Sequence, residues 1–235
     1  FRSYMRPEVS VIVMTYNEIA SLEMTVGEIM RILDGIPSGA ELIIIDDGST
    51  DGSSDLADGL SKRYKGVKVV HHKVNKGLGE VYRTGFANAE GKLITFFSAD
   101  GQFPPEIITQ FQKEIKDADM VLGYIDNTGR GVLPRCLSLF ERALYAVLFG
   151  GFPRFQGIMM IRSELLSSVK LVSEGRGWGI VMELIIKAKR SGAKIKSVMT
   201  GFRPRLAGRS KVVNMATVTA NLRQAFKLWR NLKTN

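Results

Sequence analysis

The run Leu93-Ile94-Thr95-Phe96-Phe97-Ser98-Ala99-Asp100-Gly101-Gln102-Phe103-Pro104-Pro105-Glu106 passes from apolar to polar within a few residues. Its first five residues have the β-branched and aromatic character of a buried strand, and the Pro-Pro pair marks a stop before a new helix. Asp100 and Gln102 therefore stand where a strand of an open sheet ends, which in α/β sheets is where ligands bind. In extended chain, residues two apart point the same way. The pair would then offer hard oxygen ligands to Mg2+ or Mn2+ and leave room for a diphosphate. The plain alternative is an acidic turn after a strand.

Upstream, the same grammar repeats. Val9 to Met14 reads as a first buried strand, followed by the loop Thr15-Tyr16-Asn17-Glu18 and a helix over Glu23 to Leu33. Glu41 to Ile45 reads as a second strand, ending in Asp46-Asp47-Gly48-Ser49-Thr50-Asp51-Gly52-Ser53, with Ser53 or Ser54 as cap for a helix over Asp55 to Tyr64. Val67 to His71 is a third strand, and Asn75-Lys76-Gly77-Leu78-Gly79-Glu80 leads into a helix ending near Ala89. Alternating strands and helices with short loops predict an α/β fold: a doubly wound, mostly parallel sheet with helices on both faces. Strand ends carrying Glu18, Asp46, Asp47 and Asp100 suit ribose hydroxyls, base edges and a metal. Gly77-Leu78-Gly79 lacks the third glycine of the dinucleotide fingerprint and does not directly follow its strand, which argues against a dinucleotide oxidoreductase.

Downstream, the pattern predicts a helix over Ile107 to Lys116, a strand over Met120 to Tyr124 and a polar loop with Arg130. A helix from Arg135 to Phe149, a strand over Gln156 to Arg162, a helix from Ile180 to Arg190 carrying Glu183, and an edge strand over Lys194 to Met199 follow. Arg203-Pro204-Arg205-Leu206-Ala207-Gly208-Arg209-Ser210-Lys211 is a basic loop suited to closing on a diphosphate or holding a phosphate. From Val212 to Asn235, Met215, Val218, Leu222, Phe226 and Trp229 share one helical face, with Arg223, Lys227 and Arg230 on another. Such a basic amphipathic helix either lies in a lipid interface or packs on its own domain. The chain thus divides into a catalytic-type domain at 1–211 and a terminal helix at 212–235.

Bulk properties narrow the classes. The 235 residues suit one large α/β domain, and 45% hydrophobic residues suffice for its core. Cys136, the one cysteine, excludes an internal disulfide and a cysteine-based zinc cluster, and suits a reducing compartment. Residues 1–6 do not read as a secretion signal, and no run of about 18 apolar residues marks a transmembrane helix. The net charge of +10 asks for an anionic partner: phosphorylated substrate, anionic lipid or nucleic acid. Without an aromatic-studded strand platform or zinc pattern, nucleic acid is the weakest of these.

Taken in order, Thr15-Tyr16-Asn17-Glu18, Asp46 to Gly52, Asn75 to Gly79, Ala99-Asp100-Gly101-Gln102 with Pro104-Pro105-Glu106, Gln156-Gly157, Glu183, and Arg205 with Gly208, Ser210 and Lys211 resemble family 2 glycosyltransferases of the GT-A fold. The likeness is to the polyprenyl-phosphate (dolichol-phosphate) mannose and glucose synthases. It implies transfer of a hexose, with inversion, from a GDP- or UDP-sugar to a polyprenyl phosphate. By that resemblance Thr15, Tyr16, Glu18, Asp47, Ser98 and Asp100 hold the nucleotide-sugar, and Asp100 and Gln102 hold Mg2+ or Mn2+. Asp100, Arg205 and Lys211 act on the departing diphosphate. Arg130, Arg135, Ser210 and Lys211 receive the acceptor phosphate, and Glu183 braces the basic flap. The implied setting is the cytoplasmic face of a membrane, with a membrane protein or a second copy as partner.

Two positions depart from the family pattern. Ser98 stands where the family usually has an acid, and Met14 where it usually has proline. Ser98 supplies no negative charge beside the metal. Two alternatives stay open: a family 2 transferase with a soluble hydroxyl acceptor, which would need a general base, and a non-catalytic nucleotide-sugar-binding subunit.

Overall fold

A computed structural model describes residues 6–125, 146–173, 177–205 and 226–230. Seven strands form one sheet: β1 (Val9–Thr15), β2 (Ala40–Asp46), β3 (Val67–His71), β4 (Leu93–Ser98), β5 (Met120–Tyr124), β6 (Met159–Arg162) and β7 (Ile195–Met199), in the order β3-β2-β1-β4-β6-β5-β7. Only β6 runs against its neighbours, β4 and β5. The expected doubly wound, mostly parallel α/β sheet is the observed one.

Both parities of the central strands are buried, which explains their continuous apolar runs. Val11, Val13, Leu42 and Ile44 face α1 (Ile19–Leu33), α2 (Ser53–Arg63) and α4 (Ile107–Glu114) through Leu22, Val26, Leu60 and Phe111. Ile12, Ile43, Ile45 and Phe96 face the opposite layer, where α3 (Leu78–Asn88) contributes Val81 and Tyr82. A further helix, Gly179–Arg190, adds Ile180, Val181 and Leu184 there. Full burial of each such side chain is worth about 1.5–3 kcal/mol. Tyr82 lies 4.3 Å, centroid to centroid, from Phe96, and burial pushes its phenol well above the ordinary value.

Element ends moved by a few residues, for local reasons. The first helix begins at Ile19 rather than Glu23, because Asp51 accepts the Ile19 N–H at 3.1 Å and Ser53 accepts that of Glu18 at 3.0 Å. Neither Ser53 nor Ser54 caps α2. Gly52 is its N-cap residue, and Ser53 sits inside the helix, bonded to Asp51 through its N–H and hydroxyl. The strand expected from Gln156 begins at Met159. A short helix at Ser163–Ser168 was not anticipated; its few residues carry too little periodicity to read.

Chain direction places the site. From β1 the chain steps to β2 and β3 on one side, then returns to β4 on the other. The crevice outside β1 and β4 is therefore the topological switch point, where open α/β sheets bind ligands. Most of the terminal segment lies outside the described residues. Residues 226–230 are helical, with Leu228 buried against Met182 and Ile186. Phe226, expected on the apolar face, is 49% exposed.

Candidate active site

The carboxyl ends of β1, β2 and β4 align by register. Thr15 pairs with Asp46, and Met14 pairs with Ser98. Thr15, Tyr16, Glu18, Asp47, Ser98 and Asp100 are thereby gathered at one edge. Arg130, Arg135, Ser210 and Lys211 lie outside the described residues.

Asp100 is 8% exposed, and its Oδ1 accepts the Gln102 N–H at 3.2 Å. Its own N–H reaches Ser98 Oγ at 3.4 Å. Between Asp100 and Gln102, Gly101 has φ +71°, a left-handed conformation that favours glycine. The segment is thus a turn rather than an extended strand. The extended backbone expected across Asp100 and Gln102 is replaced by this turn, in which the Gln102 N–H closes on the Asp100 carboxylate. Asp100 still has acceptor capacity, since a carboxylate offers about four lone-pair sites.

No group of three His, Cys, Asp or Glu side chains suited to a metal ion occurs among the described residues. A magnesium-type site does not require one, because Mg2+ is commonly held by one or two carboxylates together with substrate phosphates. Asp100 fits that donor set. Thr15 Oγ1 is a second feature suited to a ligand: it is buried and has no hydrogen-bond partner among the described residues.

The loops after β1 and β2 are stitched together. Asn17 N–H donates to Ser49 Oγ at 2.9 Å, and Thr50 N–H donates to Asn17 Oδ1 at 2.8 Å. Asp46 accepts from Ser49 N–H, Ser54 Oγ and His71 Nδ1. Burial opposes its ionisation, but the hydrogen bonds from Ser49, Ser54 and His71 together outweigh that and hold its carboxyl below the usual range. His71 is shifted the other way, chiefly by its bond to Asp46; burial opposes, and Asp58 adds to the rise.

Asp47 points its carboxylate into the next loop. Oδ1 accepts from Lys76 N–H at 2.8 Å and lies 2.7 Å from His72 Nδ1, while Oδ2 accepts Gly77 N–H at 2.8 Å. Gly48, at φ +72°, presses on that loop so closely that an added Cβ would stand 2.7 Å from the Val74 carbonyl carbon. Neither histidine was singled out from sequence. The available signal was that both histidines of the chain end the strand beside the Asp46-Asp47 pair.

Residues 200–205 cross the same edge from β7. Arg203 N–H donates to Gln102 O at 2.7 Å, and Phe202 meets Phe103 edge-on at 5.5 Å. The Arg203 guanidinium is held by Glu28 at 2.8 Å and approached by Glu106 at 3.6 Å. Arg205 forms an ion pair with Glu18. Glu183 is fully buried; among the described residues it accepts from Val172 and Ser173 N–H groups and pairs with Lys187, while residues 206–211 of the basic loop it was expected to brace lie outside the described residues.

This α/β sheet with its switch-point edge is a GT-A type architecture, and residues 10–165 match the Glycosyl transferase family 2 profile. The chain belongs to glycosyl transferase family 2 and has the GT-A architecture. It is 31% identical over 233 residues to the dolichol-phosphate mannosyltransferase of Pyrococcus furiosus, covering 95% of this chain and 64% of that protein. It thus spans somewhat under two thirds of that relative's length. To the undecaprenyl-phosphate mannosyltransferase of Micrococcus luteus it is 29% identical over 217 residues, covering 87% of each. Among solved structures, glucosyl-3-phosphoglycerate synthase from Mycobacterium tuberculosis, in complex with Mn2+, UDP and glucosyl-3-phosphoglycerate, superposes with TM-score 0.71 at 24% identity. That match covers 95% of this chain and 78% of the other.

Proposed function

We propose that the protein transfers a hexose, with inversion, from a GDP- or UDP-sugar to a polyprenyl phosphate. The main support is Asp100, a largely buried carboxylate on the switch-point turn with acceptor capacity to spare, at the same sheet edge as the Glu18–Arg205 pair. The names of the two mannosyltransferases favour a lipid phosphate as acceptor.

Asp100, with Gln102, would hold Mg2+ or Mn2+, which when bound offsets charge on the departing diphosphate. Arg205 and Lys211 place further positive charge beside it. Thr15, Tyr16, Glu18, Asp47 and Ser98 frame the nucleotide-sugar. Arg130, Arg135, Ser210 and Lys211 receive the acceptor phosphate, which is already anionic at neutral pH and needs orientation more than deprotonation. No helix among the described residues is long and apolar enough to cross a membrane. Phe226, exposed beside Lys227, supplies the kind of surface that rests on anionic lipid. We place the protein at the cytoplasmic face of a membrane, with a membrane protein or a second copy as its partner.

The test is a transfer assay offering UDP- and GDP-hexoses with Mg2+ or Mn2+, with and without a short polyprenyl phosphate. Glycosylated lipid that disappears on Asp100→Ala is expected. Transfer to a soluble hydroxyl compound, or nucleotide binding without turnover on any acceptor, would replace this proposal.

A further inference from the structure

Asp47, His72 and Thr84 form an unbroken polar chain. His72 Nδ1 lies 2.7 Å from Asp47 Oδ1, and His72 Nε2 lies 2.8 Å from Thr84 Oγ1. The His72 side chain is 4% exposed. These residues come from the residue after β2, the residue after β3, and α3, so the polar chain ties together three elements around residues 73–77. In the tautomer with Nδ1–H donating to the carboxylate, Nε2 accepts a hydrogen bond from the Thr84 hydroxyl, and both ring nitrogens are satisfied. Backbone bonding reinforces the placement, since His72 N–H donates to Asp46 O at 2.8 Å.

What this chain holds in place is the Asp47 carboxylate, whose remaining bonds run to the backbone of Lys76 and Gly77. Without His72, the carboxylate keeps its two backbone donors but loses the side chain that fixes its rotation. The loop it carries lies on the edge where Thr15 and Asp46 end their strands. Small displacements of such a preorganised group are costly in binding and rate.

We propose that His72 is a positioning residue for the nucleotide end of the donor site. It acts through Asp47 on the Lys76-Gly77 backbone, and Thr84 fixes the ring from behind. The proposal rests on the donor site assigned above. The role belongs to one ring nitrogen, so side chains that differ in that nitrogen separate it from bulk packing.

The experiment uses the full chain with His72→Leu and His72→Asn. The asparagine amide nitrogen occupies roughly the place of Nδ1 and can donate to Asp47, but does not reach Thr84. Both variants lose the ring, so both should lower the melting temperature comparably. UDP and GDP affinities with Mg2+ are measured by calorimetry, and amide hydrogen exchange is followed over residues 73–78. In His72→Leu, the nucleotide that binds wild type should bind at least about tenfold more weakly, with faster exchange over 73–78 and unchanged exchange in β1 and β4. In His72→Asn, affinity should stay within about threefold of wild type. Equal loss in both variants would reduce His72 to packing and overturn the proposal, as would wild-type affinity in His72→Leu. If wild type binds neither nucleotide, the donor site itself falls and takes the donor role of His72 with it. Exchange over 73–78 would then still report whether the histidine orders the loop.

Discussion

Arg205 Nη2 donates to Glu18 Oε1, joining the segment after β7 to the loop after β1 across 187 residues of sequence. Both side chains are largely buried, at 16% and 11% exposure. A desolvated pair of this kind is held in one geometry, and loss of either partner strands the other. Glu18 thus keeps a guanidinium at the edge where a diphosphate would sit. Arg205→Ala should lower kcat about 100-fold or more in the transfer assay, the usual scale for removing one charge-stabilising donor. Arg205→Lys should recover only part of it, because an ammonium lacks the planar fork. A kcat within threefold of wild type in Arg205→Ala would show that Arg205 serves stability alone.

The turn at Asp100 makes a complementary expectation about Ser98. An acid there would add negative charge two residues from the candidate metal carboxylate. Ser98→Asp should lower the Mg2+ or Mn2+ concentration giving half-maximal activity, severalfold at low ionic strength. Asp100→Asn should remove metal-dependent activity while changing unfolding free energy by no more than about 1 kcal/mol, the worth of the side-chain hydrogen bond it makes among the described residues. Metal titration and urea unfolding check the two halves.

Gly48 separates loop geometry from charge. Its φ of +72° is strained for any side chain, and a Cβ would meet the backbone at Val74 and Asn75 at 2.7 and 2.9 Å. Gly48→Ala should destabilise by about 1–3 kcal/mol, since rigid backbone cannot yield as a flexible side chain does. Nucleotide affinity should fall as well, because the displaced loop carries the Lys76 and Gly77 N–H groups. Denaturant unfolding and calorimetry with UDP and GDP report the two effects separately.

The Asp46–His71 pair gives stability a defined pH window. His71 is raised above its ordinary 6.5, so its contribution is complete below that pH and is lost as pH climbs through the folded value. Asp46 is lowered below its ordinary 3.8, so its contribution is present above that pH and is lost as pH falls through the folded value. Both contributions are complete between these limits. His71→Asn should flatten the decline of melting temperature on the alkaline side of 6.5 and weaken, without abolishing, the acid limb, because Ser49 and Ser54 still hold the Asp46 carboxylate. An unchanged alkaline limb would assign that decline to other groups.

Leu228 docks the terminal segment through Met182 and Ile186. Leu228→Ala should cost about 2–3 kcal/mol if unfolding is two-state. Phe226→Ala, at a side chain 49% exposed, should leave stability within about 0.5 kcal/mol while weakening binding to anionic vesicles. Vesicle sedimentation decides the second point, and equal binding by both proteins would remove Phe226 from the membrane surface.

Strand identity and order in the first half depend on local composition, and Val67 to His71 and Met120 to Tyr124 coincide with their observed strands. The positions of Glu18, Asp47 and Asp100 were readable for the same reason: each lies within three residues of the carboxyl end of a strand, and parallel strands share one carboxyl edge. Backbone conformation at a single residue was not readable in this way. Gly101 converts an expected extended pair into a turn, and Asp51 starts the first helix early through a contact from another loop. The least local features were decided by tertiary structure alone. Arg203 choosing Glu28, Arg205 choosing Glu18, Glu183 choosing the Val172-Ser173 backbone and His72 choosing Asp47 are selections among many residues of matching charge. Periodicity and composition describe what a residue can bond to. Only the three-dimensional path of the chain brings one partner within 3 Å and leaves the others in water.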